Sequence, residues 1–437
     1  MHPLARRVLF LLFLGGFLVA APAVVLYTSG YRLNPGGGFV QTGVLSVETV
    51  PTGARVRVDG RLLAGSTPLV VQNVVPGMRD IEIERAGYLP WRKRLPVRSR
   101  ETTFVNRTVL YADAPAVLAS PADVSGAAAD PGAERTAFSR SQGVWTEVWT
   151  HEGTTGTERL IARLPGGAAA GTVSLSWSPN GSALAVYENG AVSLVDVRTG
   201  RRTEPPPGRP LGWDAGAGAR FLTTDENGIA ATDAASGASA AFAPPAAAAV
   251  STPSGVILVQ PTNEHVALAR QRTSDPPAII AYLPLGDWRF APAPAGVLLL
   301  HDAARERLAV VDPSGTRAPL LNVRAVRWVW EPNGRRLLYS DGYDLHVFDP
   351  AGTDEMLTRL SEPITGLAWH PAGTTVLFTQ HTRLAAVELD GRGGRPILSL
   401  ADGEGLAEPW LDRRGRAVFF FGTVDGQTGL FQRPVVR

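Results

Sequence analysis

Three hydrophobic rhythms divide this chain. Residues 8–27 (VLFLLFLGGFLVAAPAVVLY) form an uncharged run of 20 residues. At 1.5 Å per residue a helix of that length spans roughly 30 Å, the thickness of a bilayer's hydrocarbon core. Residues 44–111 alternate apolar and polar positions with period two, the signature of half-buried strands. From about residue 115 to the end, short apolar runs separated by Pro, Gly, Asn and Asp return at nearly constant intervals.

The first rhythm predicts a transmembrane helix. Gly15, Gly16 and Pro22 are tolerated in membrane helices, and Tyr27 and Tyr31 stand where interfacial aromatics belong. His2, Arg6 and Arg7 precede the run, whereas only Arg32 follows it before Arg55. The positive-inside rule therefore places the N-terminus in the cytoplasm and the bulk of the chain outside. The sequence Ala21-Pro22-Ala23 also fits a signal-peptide cleavage site after Ala23, but the apolar run continues to Tyr27, which favours a retained anchor. Residues 1–27 are assigned as cytoplasmic tip and signal anchor, and 28–43 as a linker with a glycine-rich joint at 34–38.

In the second rhythm, residues 44–48 (VLSVE) read as a strand. Residues 55–59 (RVRVD) alternate and turn back at Asp59-Gly60. Thr67-Pro68 opens the run LVV, Pro76-Gly77 turns before DIEIE at 80–84, and Gly87-Tyr88 and Trp91 follow. Together these predict a small β-sandwich over residues 44–111. Pro51, Gly53, Ala54, Val56, Asp59, Gly60, Thr67, Pro68, Gly77, Gly87, Tyr88 and Trp91, in this order and spacing, resemble the PEGA domain, with Thr52 where the name-giving motif has Glu. The resemblance implies a β-sandwich of bacterial surface proteins that serves attachment to carbohydrate, S-layer or protein and carries no catalytic residues. Arg92, Lys93, Arg94, Arg98 and Arg100 then place five cations in nine residues. They are candidate contacts for an anionic envelope polymer, or a charged strand edge that resists aggregation.

The third rhythm is a repeat. One copy runs SLSWSPNG (174–181), ALAVY (183–187), VSLVD (192–196) and Gly200. A second runs WEPNG (330–334), LLY (337–339), LHVFD (345–349) and Gly352. A third runs WHPAG (369–373), VLF (376–378), LAAVELD (384–390) and Gly391. With weaker copies, the turn glycines 132, 181, 218, 255, 296, 334, 373 and 415 are spaced by 49, 37, 37, 41, 38, 39 and 42 residues. This is close to the length of a four-stranded propeller blade. Residues 112–437 are therefore predicted to form a β-propeller of eight blades, or seven if one unit is split across the closure. The copies resemble TolB-like and WD40-like propeller repeats of bacterial envelope proteins. The repeat marks Trp177, Gly181, Asp196, Trp330, Gly334, Asp349, Trp369, Gly373 and Asp390 read as structural. Trp packs between blades rather than stacking on sugar. Asp196, Asp233, Asp312, Asp349 and Asp390 cap turns rather than bind calcium. Asp225-Glu226-Asn227-Gly228 lacks the ligand order of a calcium loop.

Composition adds limits. The formal charge is +2, and Lys93 is the one lysine against 41 arginines, so a nucleic-acid-binding surface is not expected. Without cysteine there is no disulfide and no thiolate chemistry. The His residues at 2, 151, 265, 301, 346, 370 and 381 are scattered. No H-E-x-x-H, Walker A or G-x-S-x-G is present, and residues 237–241 (GASAA) only approach the last. No catalytic, cofactor or metal site is predicted. The expectation is a mostly-β, single-pass protein of the bacterial cytoplasmic membrane that binds envelope glycan, S-layer or protein without catalysis. The alternative is a propeller hydrolase or lyase acting on envelope polysaccharide, which would need carboxylates converging in the channel.

Overall fold

The computed structural model describes residues 3–33, 37–121, 124–132, 134–153, 155–165, 173–216, 218–272, 276–315 and 318–436. His2 and residues 34–36 of the glycine-rich joint lie outside these. The chain forms two compact units, the first comprising residues 1–113 with the segment 388–396, the second essentially the rest. The sequence assigns 388–396 to the propeller; its contacts place it in the first unit.

The first unit begins with one α-helix, Pro3–Thr28. Its stretch Val8–Thr28 is long and apolar enough to cross a membrane, and none of its residues is buried in the protein. Beyond Thr28, Arg32 donates to the Tyr27 carbonyl at 2.8 Å and lies 3.8 Å over the Tyr27 ring. It thus gives a second donor to a carbonyl at the helix end that also accepts the Gly30 amide at 3.2 Å. The short strands Tyr31–Leu33 and Phe39–Gln41 pair antiparallel and lead into a two-sheet sandwich.

One sheet of the sandwich orders Leu69–Val74, Gly43–Val50 and Thr102–Val109, with the last two parallel. The other orders Arg61–Leu62, Arg55–Val58, Gly77–Glu84 and Trp91–Val97. The period-two alternation of the sequence becomes a buried face: Leu45, Val56, Ile83 and Leu95 expose nothing. Asp59 and Gly60 both have positive φ, 49° and 78°, as a two-residue hairpin turn requires.

The second unit contains eight four-stranded antiparallel sheets. Blades 1–7 occupy residues 124–165, 174–203, 209–243, 248–283, 289–324, 327–359 and 364–402. Blade 8 is composite. Glu404–Leu411, Ala417–Val424 and Gln427–Pro434 supply three strands, and Val117–Pro121 from the start of the unit supplies the outermost. There are thus eight blades and also one split blade, features that the sequence offered as alternatives. The innermost strands lie against their neighbours: Val124–Ala129 on Ser174–Trp177, Arg327–Trp330 on Ile364–Trp369, and Ile364–Trp369 on Glu404–Leu411. Glu404–Leu411 in turn lies against Val124–Ala129, which closes the ring.

Apolar clusters sit between blades. Ala137, Val148, Leu184 and Val195 join blades 1 and 2. Ile257, Leu268, Leu300 and Ala309 join blades 4 and 5. At the closure, Phe138 of blade 1 packs with Trp410, Phe419 and Phe421 of blade 8, with the Trp410 and Phe419 rings stacked at 5.4 Å.

A polar clamp recurs at the turn after the innermost strand. In blade 6, Arg336 donates to both carboxylate oxygens of Glu331, at 2.9 and 2.8 Å, and to the Gly373 carbonyl of blade 7 at 2.7 Å. Its guanidinium lies 5.0 Å over the Trp369 ring, and the Trp369 indole donates back to the Val329 carbonyl at 3.0 Å. Blades 1 and 2 repeat the arrangement. Arg135 binds Asp130 at 3.1 Å, donates to the Gly181 carbonyl at 2.6 Å and covers Trp177, whose indole donates to the Ala128 carbonyl at 2.8 Å. The turn glycine is required on two counts. Gly373 has φ 74°, and a Cβ there would stand 2.7 Å from Glu331 Oε1.

Glu331 is buried, with only 4% of its side chain exposed, so its charge depends on Arg336. Arg336→Met is expected to lower propeller stability by about 2–3 kcal/mol in denaturant unfolding. Arg324→Met, which breaks the exposed pair with Glu306, is expected to cost about 1 kcal/mol or less.

Burial also holds the His151 and His301 imidazoles below the usual histidine pKa, against nearby carboxylates. Both therefore bind protons less readily in the folded protein than in the unfolded chain, and unfolding lets them take up protons below the ordinary value near 6.5. Stability therefore falls as pH drops from neutral through that window. His151→Phe is expected to flatten the loss, as read from melting temperatures between pH 7 and 5.

Candidate functional site

The residues marking the small module serve its turns. Thr67 Oγ1 accepts the Ala54 amide at 3.0 Å and shares a hydrogen with Thr49 Oγ1 at 2.6 Å, while the Gly53 amide donates to the Thr67 carbonyl at 2.8 Å. Pro51 and Pro68 follow cis peptide bonds. Asp59 accepts the Asp80 amide at 3.0 Å and Arg79 at 2.9 Å. Gly77 and Gly87 adopt φ of 128° and 79°. Tyr88 is buried, and the Trp91 indole donates to Glu388.

The five-cation run does not act as one surface. Strand Trp91–Val97 alternates, so Lys93 points to the same side as the buried Leu95 and Val97. Its ammonium pairs with Glu388 at 3.0 Å and donates to the Asp390 carbonyl at 2.6 Å. Lys93 is therefore not a contact for a polymer. It is a buried cation whose charge is neutralised inside the first unit. Arg92 and Arg94 project to the opposite side, each beside an acid of the neighbouring strand: Arg92 pairs with Glu82 and Arg94 with Asp80 at 3.6 Å. Arg98 pairs with Glu101 at 3.7 Å. Arg100 is exposed, with φ 62°.

Arg92, Arg94, Asp80 and Glu82 line a groove of about 570 Å³ whose further wall is Gly393, Gly394, Arg395 and Pro396. The arginine side chains in it are 71% and 66% exposed. Exposed pairs of this kind contribute only about 0–1 kcal/mol, so an anionic ligand exchanges for the carboxylates at small cost. The groove presents both signs of charge to solvent. Period-two counting from Leu95 would have separated Lys93 from Arg92 and Arg94. The contribution of residues 388–396 depends on a contact nearly three hundred residues away and left no local signal.

In the second unit the repeat marks are structural. Trp177 and Trp369 are buried at the blade junctions, and Trp330 is half-buried in the cluster joining blades 5 and 6. Gly181, Gly334 and Gly373 occupy left-handed turns. Each of the strand-end aspartates receives backbone amides from its own turn. Asp196 accepts the Thr199 amide at 2.7 Å, Asp233 that of Ser236 at 2.7 Å, and Asp349 that of Ala351 at 2.8 Å. Asp312 accepts Ser314 at 2.8 Å, and Asp390 accepts Arg392 at 3.0 Å. The Thr199 hydroxyl, which also donates to Asp196, holds that carboxyl below the usual range. Asp225 likewise accepts the Asn227 and Gly228 amides of its own turn.

Substitution separates the two roles in the first unit. Lys93→Ala, which strands a part-buried Glu388, is expected to destabilise by about 2–3 kcal/mol in chemical unfolding. Arg92→Ala and Arg94→Ala are each expected to stay within about 1 kcal/mol.

Residues 42–109 match the family model of the PEGA domain. No curated protein matches the chain. Among solved structures, the β-propeller domain of Cps50 (Swd1) from Myceliophteria thermophila aligns over 72% of this chain and 99% of its own, at 15% identity and a TM-score of 0.44. The propeller assignment rests on the eight sheets and the closed ring. The chain carries a PEGA domain at residues 42–109 and an eight-bladed β-propeller after it.

Proposed function

We propose that this protein is a non-catalytic, membrane-anchored binding protein of the bacterial envelope, held in the cytoplasmic membrane by Pro3–Thr28 with the rest of the chain outside. In this reading the PEGA domain engages an anionic envelope polymer or a protein through the groove lined by Arg92 and Arg94, and the propeller supplies a second binding surface. The observation that carries it is the groove itself: two exposed arginines, held two residues apart on an edge strand and matched only by weakly bound acids. The unbroken apolar helix and the basic residues before it support the orientation.

The test is retention of cell-wall glycan, S-layer extract and envelope proteins on the immobilised full-length protein, at low and high salt. Retention that falls several-fold in the Arg92→Ser/Arg94→Ser double variant, and weakens as salt rises, is the expected result. Retention of no fraction at either salt would sink the reading.

A further inference from the structure

Register shifts interrupt several innermost strands, and at one of them an acidic side chain holds a left-handed backbone. Along Glu404–Leu411 the pairing with Ala417–Val424 shifts register on both sides of Ala407. Glu408 sits there at φ 48°, a left-handed conformation that residues with a Cβ rarely hold without a reason in the surrounding structure. Gly366 on the neighbouring innermost strand makes the room, since a Cβ there would come 2.8 Å from the Glu408 amide nitrogen. The bulge leaves the Glu408 side chain open to water although its strand is innermost.

Two blades back, Arg327 reaches along the same wall. Its guanidinium donates to the carbonyls of Thr365 at 3.1 Å and Val326 at 3.0 Å. Neither side chain has an ion-pair partner within 4.0 Å among the described residues, and the Glu408 carboxylate accepts no hydrogen bond there. Surrounding protein pushes the Glu408 carboxyl above the usual range while the Arg327 charge pulls it down. Both charged side chains are exposed on innermost strands, Arg327 bonded to Thr365 and Glu408 beside the adjoining Gly366, and they lie too far apart to bond each other.

We propose that Arg327 and Glu408 form a ligand site on the axis of the propeller for a neutral polyhydroxylated group of a glycan. An anion would meet Glu408 and a cation would meet Arg327. A neutral group with adjacent acceptors and donors satisfies both, and vicinal hydroxyls are such a group. An extended peptide is a poorer match because the backbone acceptors beside Arg327 are already taken, as is one farther round the ring. The Ala247 carbonyl receives Arg209 and Arg289, Thr365 and Val326 receive Arg327, and Leu406 receives the Thr365 hydroxyl. This site rests on the reading of the chain as a binding protein and gives its propeller a ligand class distinct from that of the basic groove.

The experiment is calorimetry on the full-length protein in phosphatidylcholine nanodiscs, which present no sugar. The probes are neutral glucose and N-acetylglucosamine oligosaccharides, their monosaccharides, and a lysine-rich peptide. The expected result is binding of at least one sugar series. That binding should weaken roughly tenfold or more in Glu408→Gln and in Arg327→Gln and stay unchanged in Arg92→Ser/Arg94→Ser. Glu408→Gly, which removes the strained side chain, should keep the melting temperature while losing the sugar. The proposal is overturned if no sugar binds, if both single variants bind as the wild type does, or if only the peptide binds. Failure here with envelope fractions still retained through Arg92 and Arg94 would remove the axial site and leave the binding reading in place.

Discussion

The second unit depends on one constraint: a four-stranded sheet with two apolar faces has no stable existence alone. Val186 and Val195 of blade 2 are covered by blade 1, while Ala185 and Leu194 of the same sheet are covered by blade 3. Each sheet therefore needs a neighbour on both sides, and a finite row of sheets satisfies that only by closing. The closure is made by pairing Val117–Pro121 with Gln427–Pro434 and by the most aromatic junction of the unit, where Trp410, Phe419 and Phe421 meet Phe138. Both ends of the propeller are thereby tied into one blade.

Apolar burial alone would allow the blades to slide, and the polar clamps supply the register. Glu331 and Asp130 are buried carboxylates whose arginines reach the next blade's turn carbonyl and lie over its tryptophan. The bonds are directional, so they fix where one blade sits on the next while the apolar clusters supply most of the attraction. In blade 3 the partners change but the logic holds. Arg220 binds Asp214 at 2.6 Å and reaches Ser251 of blade 4 at 3.2 Å. Blade 3, whose copy is alanine-rich, thus keeps the interlock after losing the motif that makes it visible.

What the sequence made legible follows the range of the interactions involved. The helix, the hairpin at Asp59-Gly60 and the aspartate-capped turns are set by residues within a few positions of one another, and their patterns read directly. The blade count was legible because at Gly181, Gly334, Gly373 and Gly415 the turn glycine is demanded both by a left-handed φ and by close approach to the preceding blade, so the residue recurs at a near-constant interval. The composite blade 8 was not, since nothing in residues 117–121 marks them as partners of a strand three hundred residues on. Lys93 was misplaced because charge was counted along the chain instead of by face. Glu408 escaped notice because the strand EGLAEPWL does not alternate; its register shifts fall where no period applies.

These failures have a physical pattern. Lys93, Glu408 and the segment 388–396 are places where local preference and final structure disagree: a cation on an apolar face, a left-handed glutamate in a strand, a strand connection that belongs by its contacts to the first unit. Each costs stability where it occurs, and for two of them the structure shows what offsets the cost. Lys93 is matched by Glu388 and the Asp390 carbonyl, and residues 388–396 form one wall of a groove. Glu408 receives no such return from within the protein, although Gly366 is shaped to hold it in place. A side chain held against its backbone preference, beside an arginine it does not bond, is a local disagreement of the kind that a binding role explains, and that is why the proposed axial site is placed there.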